Sequence, residues 1–197
     1  AETAFRRAVE LDGNNPLAHR MLGVVLSHLE RHDEALRSIK RARELDPFYA
    51  MYHALSAMLA FHAGDYSAAL EFGRQSTVVD PEFWIGYFQL AQVYEQLGKT
   101  ELALEALANA GRFSGGNSKV LGLRGYILAK LGQHEEAHNV IATLDSISRE
   151  RYIPPYTTAL IYAGLNQPDE VFQWLQRAFE ARDVHLIFLP VDPKWKA

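Results

Sequence analysis

Small residues recur along this chain every 34 positions, and this spacing restricts the fold more than any other sequence feature. The first series consists of Gly23, Ala57, Ala91, Gly125 and Ala159. The second consists of Ala35, Ala69, Ala103 and Ala137, and the third of Ala8, Ala42, Ser76 and Ala110. Three series in one phase predict a repeat array, in which small side chains allow neighbouring helices to approach closely.

The unit of the array is clearest between residues 84 and 110. Tyr87, Leu90 and Tyr94 follow one another at spacings of three and four, which places them on one face of a helix. Gly98 comes just after this helix, where a left-handed C-terminal cap favours a residue without Cβ. A second amphipathic helix follows it. A single hairpin of this kind leaves one apolar flank exposed, so the unit requires neighbours.

We therefore predict an all-α fold, a right-handed superhelical solenoid of antiparallel helix pairs formed by one array over residues 1–197. Residues 1–15 are the second helix of a truncated unit, which suggests a fragment of a longer protein or a missing first helix. Five repeats follow at 16–49, 50–83, 84–117, 118–151 and 152–185. The apolar stretch at 184–191 is predicted to fold over the last pair, with residues 186–197 as an extended C-terminal cap.

Composition excludes several other classes of protein. With 48% hydrophobic residues in 197, the chain has enough apolar side chains for a substantial core. The net charge of −4 argues against a nucleic-acid surface. No apolar run approaches the roughly 18 residues of a membrane span. Cysteine is absent, which excludes disulfides and leaves the compartment open, and we expect a cytoplasmic protein.

The 34-residue period, with small residues at positions eight, twenty and twenty-seven and proline at thirty-two, resembles the tetratricopeptide repeat. Pro47 and Pro81 hold that closing position in the first two units. The segment from residue 152 to the end also resembles the C-terminal end of tetratricopeptide regions in bacterial multidomain signalling proteins. Those regions follow DNA-binding, kinase or nucleotide-cyclase domains, none of which is recognisable in this sequence.

The resemblance implies that the first helices line a concave groove and that positions two, five, six, nine and twelve of each point into it. The groove candidates are Arg20, Val24, Met51, Met58, Phe61, Ile85, Phe88, Gln89, Gln92, Lys119, Tyr126 and Tyr156. Methionines and aromatic rings adapt to varied partners, so such a groove fits an amphipathic helix or an apolar peptide. The alternative is that many of these side chains are buried between adjacent units.

The family's carboxylate clamp uses lysine and asparagine at positions five and nine, and this chain does not match it. The first unit has Arg20 and Val24 there, and the second has Ala54 and Met58. We therefore do not expect recognition of a chaperone's C-terminal tail.

Histidine pairs raise the question of a metal site. His134 and His138 stand in the pattern H-E-x-x-H of zinc metalloproteases, which requires both histidines on a helix beside a third ligand. We place His134 in a turn and expect no third ligand. His28 and His32 are also four apart, but a turn between helices separates them and a solvated loop is expected. We expect neither metal nor cofactor, and no enzyme activity.

These observations favour a protein-interaction scaffold that binds a peptide or helix of unidentified sequence, with no catalysis of its own. The alternative is the regulatory or sensory region of a larger bacterial transcription regulator, kinase or nucleotide cyclase. Self-association is a further possibility, because residues 1–11 lack a partner helix and are expected to expose Phe5 and Leu11.

Overall fold

The computed structural model describes residues 1–195 of the chain. Within this range it contains α-helices and two short 3-10 helices, and no strand. The helices are α1 Glu2–Leu11, α2 Pro16–His28, α3 His32–Leu45, α4 Ala50–His62, α5 Tyr66–Val79, α6 Trp84–Gln96, α7 Thr100–Phe113, α8 Ser118–Lys130, α9 His134–Ser148, α10 Pro155–Gly164 and α11 Pro168–Glu180. The all-α repeat fold is confirmed.

Helices pair in sequence order and the pairs then stack. The pairs α2–α3, α4–α5 and α6–α7 each form a tight hairpin, and the second helix of each pair packs on the first helix of the next. The second small-residue series lies at the centre of these hairpins, and Ala35, Ala69, Ala103 and Ala137 are fully buried. Their methyl groups leave room for the facing helix, because a larger side chain would overfill a close-packed interior. The repeat boundaries at 49, 83, 117 and 151 stay predictions.

The backbone repeats with the same period as the sequence. The turns within the five helix pairs each contain one left-handed residue, and these residues stand 34 positions apart: Glu30, Gly64, Gly98, Gly132 and Asn166, with φ between 56° and 78°. At the third of these turns the N–H of Lys99 donates to the carbonyl of Tyr94 at 2.8 Å, which closes the end of α6. The left-handed cap predicted at Gly98 is present.

The first helix of the last pair, α10, packs against α8 much more closely than against α9. Two glycines of α8 allow this approach. A Cβ at Gly122 would stand 2.5 Å from Thr157 Cγ2, and a Cβ at Gly125 would stand 2.7 Å from Ile161 Cδ1. Side chains at these positions would push the two helices apart. The first helices α2, α4, α6, α8 and α10 consequently follow one another along one face, which is the concave face of the array.

The chain after α11 crosses this concave face. We call residues 184–195 the C-terminal segment; it comprises 3-10 helices at Val184–Phe188 and Pro193–Trp195. It packs on the last helix pair, and Asp183 immediately before it accepts a hydrogen bond through Oδ2 from the N–H of Tyr156 at 3.1 Å. It is not extended, however, and it continues past the last pair as far as α2. Residues 196 and 197 of the predicted cap lie outside the described residues.

Candidate functional site

The concave face is the candidate site, and all twelve predicted groove residues belong to the first helices that form it, α2, α4, α6, α8 and α10. Those that are buried are Phe61, Gln89, Gln92, Tyr126 and Tyr156. Those that are partly buried are Arg20, Val24, Met51, Met58, Ile85, Phe88 and Lys119. Phe61 and Tyr126 also belong to core clusters. For these two, packing between units explains part of the burial. Much of the remaining cover comes from the C-terminal segment.

Phe188 of the C-terminal segment is inserted among histidines at one end of the face. Its ring centroid lies 5.2 Å from that of His28, in an edge-to-face arrangement, and 5.9 Å from that of His62. The Lys119 ammonium lies 6.0 Å from the same ring. Aromatic pairs at these distances are favourable beyond the area that they bury. The segment therefore reaches from α11 back to the first complete helix pair.

His62 is neutral in this environment. Its pKa is lowered to about 3, chiefly because burial removes the hydration of the charged form; the Asp192 carboxylate opposes this shift and the Lys194 ammonium adds to it. Its Nδ1 lies 3.0 Å from the Ser27 hydroxyl. Burial lowers the pKa of His28 as well. The prediction of a solvated loop at His28 was wrong, because its ring packs on Phe188, which is distant in sequence.

Lys194 lies in the middle of the face and is only 6% exposed. Its Nζ donates to Gln92 Oε1 at 2.8 Å and forms an ion pair with Asp192 at 2.8 Å. The same ammonium stands 5.0 Å from the centroid of Phe61, within the range of a cation–π contact. A buried charge requires a counter-charge and hydrogen bonds, and Lys194 has both.

Trp195 occupies the other end of the described segment. Its Nε1–H donates to the Tyr156 hydroxyl at 2.6 Å, and the two ring centroids are 5.5 Å apart. Burial raises the pKa of Tyr156 well above its ordinary value. The indole also packs beside Tyr126, whose pKa burial raises to about 12. Both tyrosines are therefore neutral hydrogen-bonding groups at physiological pH.

A cavity of about 90 Å³ remains between the C-terminal segment and the groove floor. Six of the predicted residues line it: Met58, Phe88, Gln89, Gln92, Lys119 and Tyr156. Burial lowers the pKa of Lys119, which is mostly withdrawn from water. The cavity wall is mainly apolar, with amide and ammonium donors at its edge. This composition suits an apolar side chain flanked by polar groups.

The remaining predicted residues lie away from the cavity. Those that do not line it are Arg20, Val24, Met51, Phe61, Ile85 and Tyr126. Arg20 instead lies beside Met21, with Nη2 3.5 Å from the sulfur. Sequence reasoning placed His62 at the groove edge or in the core, but it missed Phe188 and Lys194 as groove contacts. The apolar run at 184–191 signalled that the segment is buried, but no sequence signal indicated where.

The H-E-x-x-H pattern lies on the exposed surface of α9. His134 is the first residue of α9 and not part of the turn, which corrects the prediction. Both His134 and His138 are exposed, and His138 Nδ1 lies 2.7 Å from the carbonyl of His134. Among residues 1–195, no group of three or more His, Cys, Asp or Glu side chains is arranged to hold a metal ion.

The N-terminal helix is less open than expected. Phe5 packs against the core cluster that contains Leu22 and Ile39, so its predicted exposure was wrong, whereas Leu11 is 70% exposed. Arg31 donates to Glu2 at 2.6 Å and connects α1 to α3. In the described part of the chain, no helix is long and apolar enough to cross a membrane.

Stacked helix pairs with a lined concave face define an α-helical solenoid of the protein-interaction type. Family models described as tetratricopeptide repeat match residues 1–50, 29–78 and 86–110. The chain belongs to the tetratricopeptide repeat family. This fold typically binds protein partners and is not catalytic.

Two curated relatives match part of the chain. Protein bimA of Emericella nidulans is 28% identical over 113 residues, covering 57% of this chain and 14% of that protein. The small glutamine-rich tetratricopeptide repeat-containing protein 2 of Mycosarcoma maydis is 28% identical over 109 residues, covering 55% of this chain and 31% of that protein. The matched region is thus less than a third of either relative's length.

Solved structures share the fold. A thermophilic tetratricopeptide repeat protein of Thermus thermophilus is 23% identical, with a TM-score of 0.71, covering 93% of this chain and all of that one (100%). YrrB, described as having an unusual peptide-binding site, is 20% identical, with a TM-score of 0.54, covering 96% and 98%. At these identities the likeness establishes the architecture alone.

Proposed function

We propose that the concave face binds a peptide or a helix of a protein partner through an apolar groove, and that the chain performs no catalysis of its own. The observation that carries this proposal is the C-terminal segment, since a short stretch of chain already occupies the groove with side-chain anchors. YrrB, a neighbour in fold, is itself described as having a peptide-binding site.

The central groove offers the mixture of contacts that peptide recognition needs. Met58 and Phe88 provide adaptable apolar surface beside the cavity. Gln92 donates to Gln89 at 2.8 Å, so the two amides hold each other in position. Fixed amides beside apolar surface orient a ligand, because a misplaced ligand leaves a buried polar group without a partner.

Panning a peptide display library against the full chain tests this function. Met58→Glu places a carboxylate in the apolar wall and Phe88→Ala removes a ring from it, so each variant should lose at least about tenfold in affinity for selected peptides, or about 1.4 kcal/mol. Phe179→Ala, whose side chain on α11 is 71% exposed, is the matched control and should bind normally.

Helical circular dichroism should be unchanged in the groove variants. Selected peptides that bind Met58→Glu and Phe88→Ala as tightly as the unaltered chain would contradict the proposal.

Three finer points belong to the same proposal. We place the protein in the cytoplasm. Self-association through α1 stays a prediction, supported by the exposed Leu11 but weakened by the packing of Phe5. The regulatory region of a larger bacterial signalling protein is not favoured, since none of the relatives and neighbours described above is named as such a protein.

A further inference from the structure

The C-terminal segment engages the groove as a ligand would, through a few anchors on successive repeats. Phe188 contacts histidines of α2 and α4, and Lys194 contacts α4 and α6. Trp195 contacts α10 and the core beside α8. Ile187 just before these anchors is 47% exposed and Pro190 between them is exposed, whereas Val191 is fully buried. Inserted side chains that alternate with exposed positions are typical of a bound peptide.

The segment fills the groove incompletely. The cavity of about 90 Å³ lies against Phe188, with Met58, Phe88 and Leu160 on its other walls. Atoms that face an empty space lose the dispersion contacts that they would otherwise make. An occupant with more apolar volume at this point would therefore gain contacts that the segment does not make.

The buried cation adds a specific requirement. The groove offers the Lys194 ammonium one amide oxygen, that of Gln92, and the face of the Phe61 ring. The carboxylate that neutralises the ammonium comes from the segment itself, from Asp192. An occupant that brought a lysine without its own acid would bury a charge without a counter-charge.

We propose that residues 184–195 are the internal ligand of the groove, and that the partner is a peptide of the same chemistry that displaces them. Such a peptide has phenylalanine, an acidic residue four positions later, a cation two positions further on, and tryptophan next. This inference rests on the proposed function and names its partner class. The internal ligand lowers the partner's apparent affinity in proportion to the fraction of time that the groove is closed.

A labelled synthetic peptide with the sequence of residues 184–195 tests the inference by fluorescence anisotropy. It is titrated against the full chain, against the full-chain variant Phe188→Ala, and against Phe179→Ala as a control on the exposed side of α11. Releasing a segment that closes the groove about 90% of the time should tighten peptide binding about tenfold in Phe188→Ala. The control should match the unaltered chain, and a peptide with Phe188→Ala should bind poorly to all three.

The full-chain variant Lys194→Gln gives a second route, because it removes the buried charge and keeps an amide beside Gln92. Equal peptide affinity for the unaltered chain and for both released variants, or no binding to any of them, overturns the inference. Library peptides that bind the unaltered chain and Phe188→Ala equally leave the proposed function standing and also overturn the inference. Binding of the segment peptide without any library peptide contradicts the external partner and thereby overturns the inference.

Discussion

The concave face and the outer surface of α9 contain the same kinds of polar residue in opposite surroundings. His28 and His62 of the concave face pack on Phe188, and burial lowers the pKa of both. His134 and His138 of α9 have the more suggestive spacing, yet both are exposed. Spacing along a helix therefore did not identify the histidines with an unusual environment. The packing of distant segments did.

Ion pairs show the same contrast. Lys194 and Asp192 are nearly withdrawn from water, whereas Arg149 and Asp145 on α9 pair at 3.2 Å in the open. A buried pair becomes costly when one partner is removed, because the other remains charged without hydration. An exposed pair contributes little either way. Substitutions of Phe61, His62 and Lys130 probe the difference between buried and exposed side chains, in order of decreasing effect.

Phe61→Ala should have the largest effect on stability. Phe61 is 1% exposed, and its ring packs in the core cluster with Ala69 and Val93 and faces the Lys194 ammonium. Its loss therefore leaves a cavity and removes a cation–π contact. We expect the free energy of unfolding to fall by about 3–5 kcal/mol in urea titrations. Phe172→Ala, whose ring is 71% exposed on α11, should change it by less than about 0.5 kcal/mol. Equal losses would remove the distinction between the two faces.

His62 should make stability depend on pH. Its pKa in the folded chain is about 3, compared with 6.5 when it is unperturbed, so the unfolded chain takes up the proton first as the pH falls. Stability is therefore fully present above pH 6.5 and declines from there towards pH 3, by at most about 1.4 kcal/mol per pH unit. The charged or titratable groups around it are His28, His32, Asp192 and Lys194.

Urea titrations at several pH values between 7.5 and 5.5 measure this slope. His62→Gln should flatten it, with a smaller slope left by His28 and His185, whose pKa values burial also lowers. The exposed His138→Gln is the control and should leave the slope unchanged. A slope that His62→Gln does not alter would show that the ring is not the titrating group.

Lys130→Ala should have the smallest measurable effect. Its ammonium pairs with Glu95 at 2.6 Å, and the two side chains are 49% and 5% exposed. The buried carboxylate keeps only its hydrogen bond from Gln96, so we expect a loss of about 1 kcal/mol. Arg149→Ala should change stability by less than about 0.5 kcal/mol. A double-mutant cycle with Glu95→Gln isolates the pair, and a coupling energy near zero would contradict this view.

The sequence predicted the architecture well because the repeat is a local pattern reinforced by its own periodicity. Gly98 and Ala103 each have counterparts 34 residues away, so one interpretation was tested several times within one chain. The predicted groove residues all lie in the first helices for the same reason, although their part in binding stays a prediction. The positions of His28 and of the C-terminal segment have no such repetition. The structure corrected the prediction of a solvated loop at His28, and it showed that the C-terminal segment extends beyond the last helix pair.

What the sequence alone determined is the stack of helix pairs, since helical periodicity, small residues and turn residues act within about 34 residues of one another. What only the tertiary structure decided is how residues 184–195 use the concave face. Lys194 and Gln92 are 102 residues apart, and their contact depends on the curvature that all the intervening repeats build together. An apolar run indicates burial but not its location, because the hydrophobic effect has no direction.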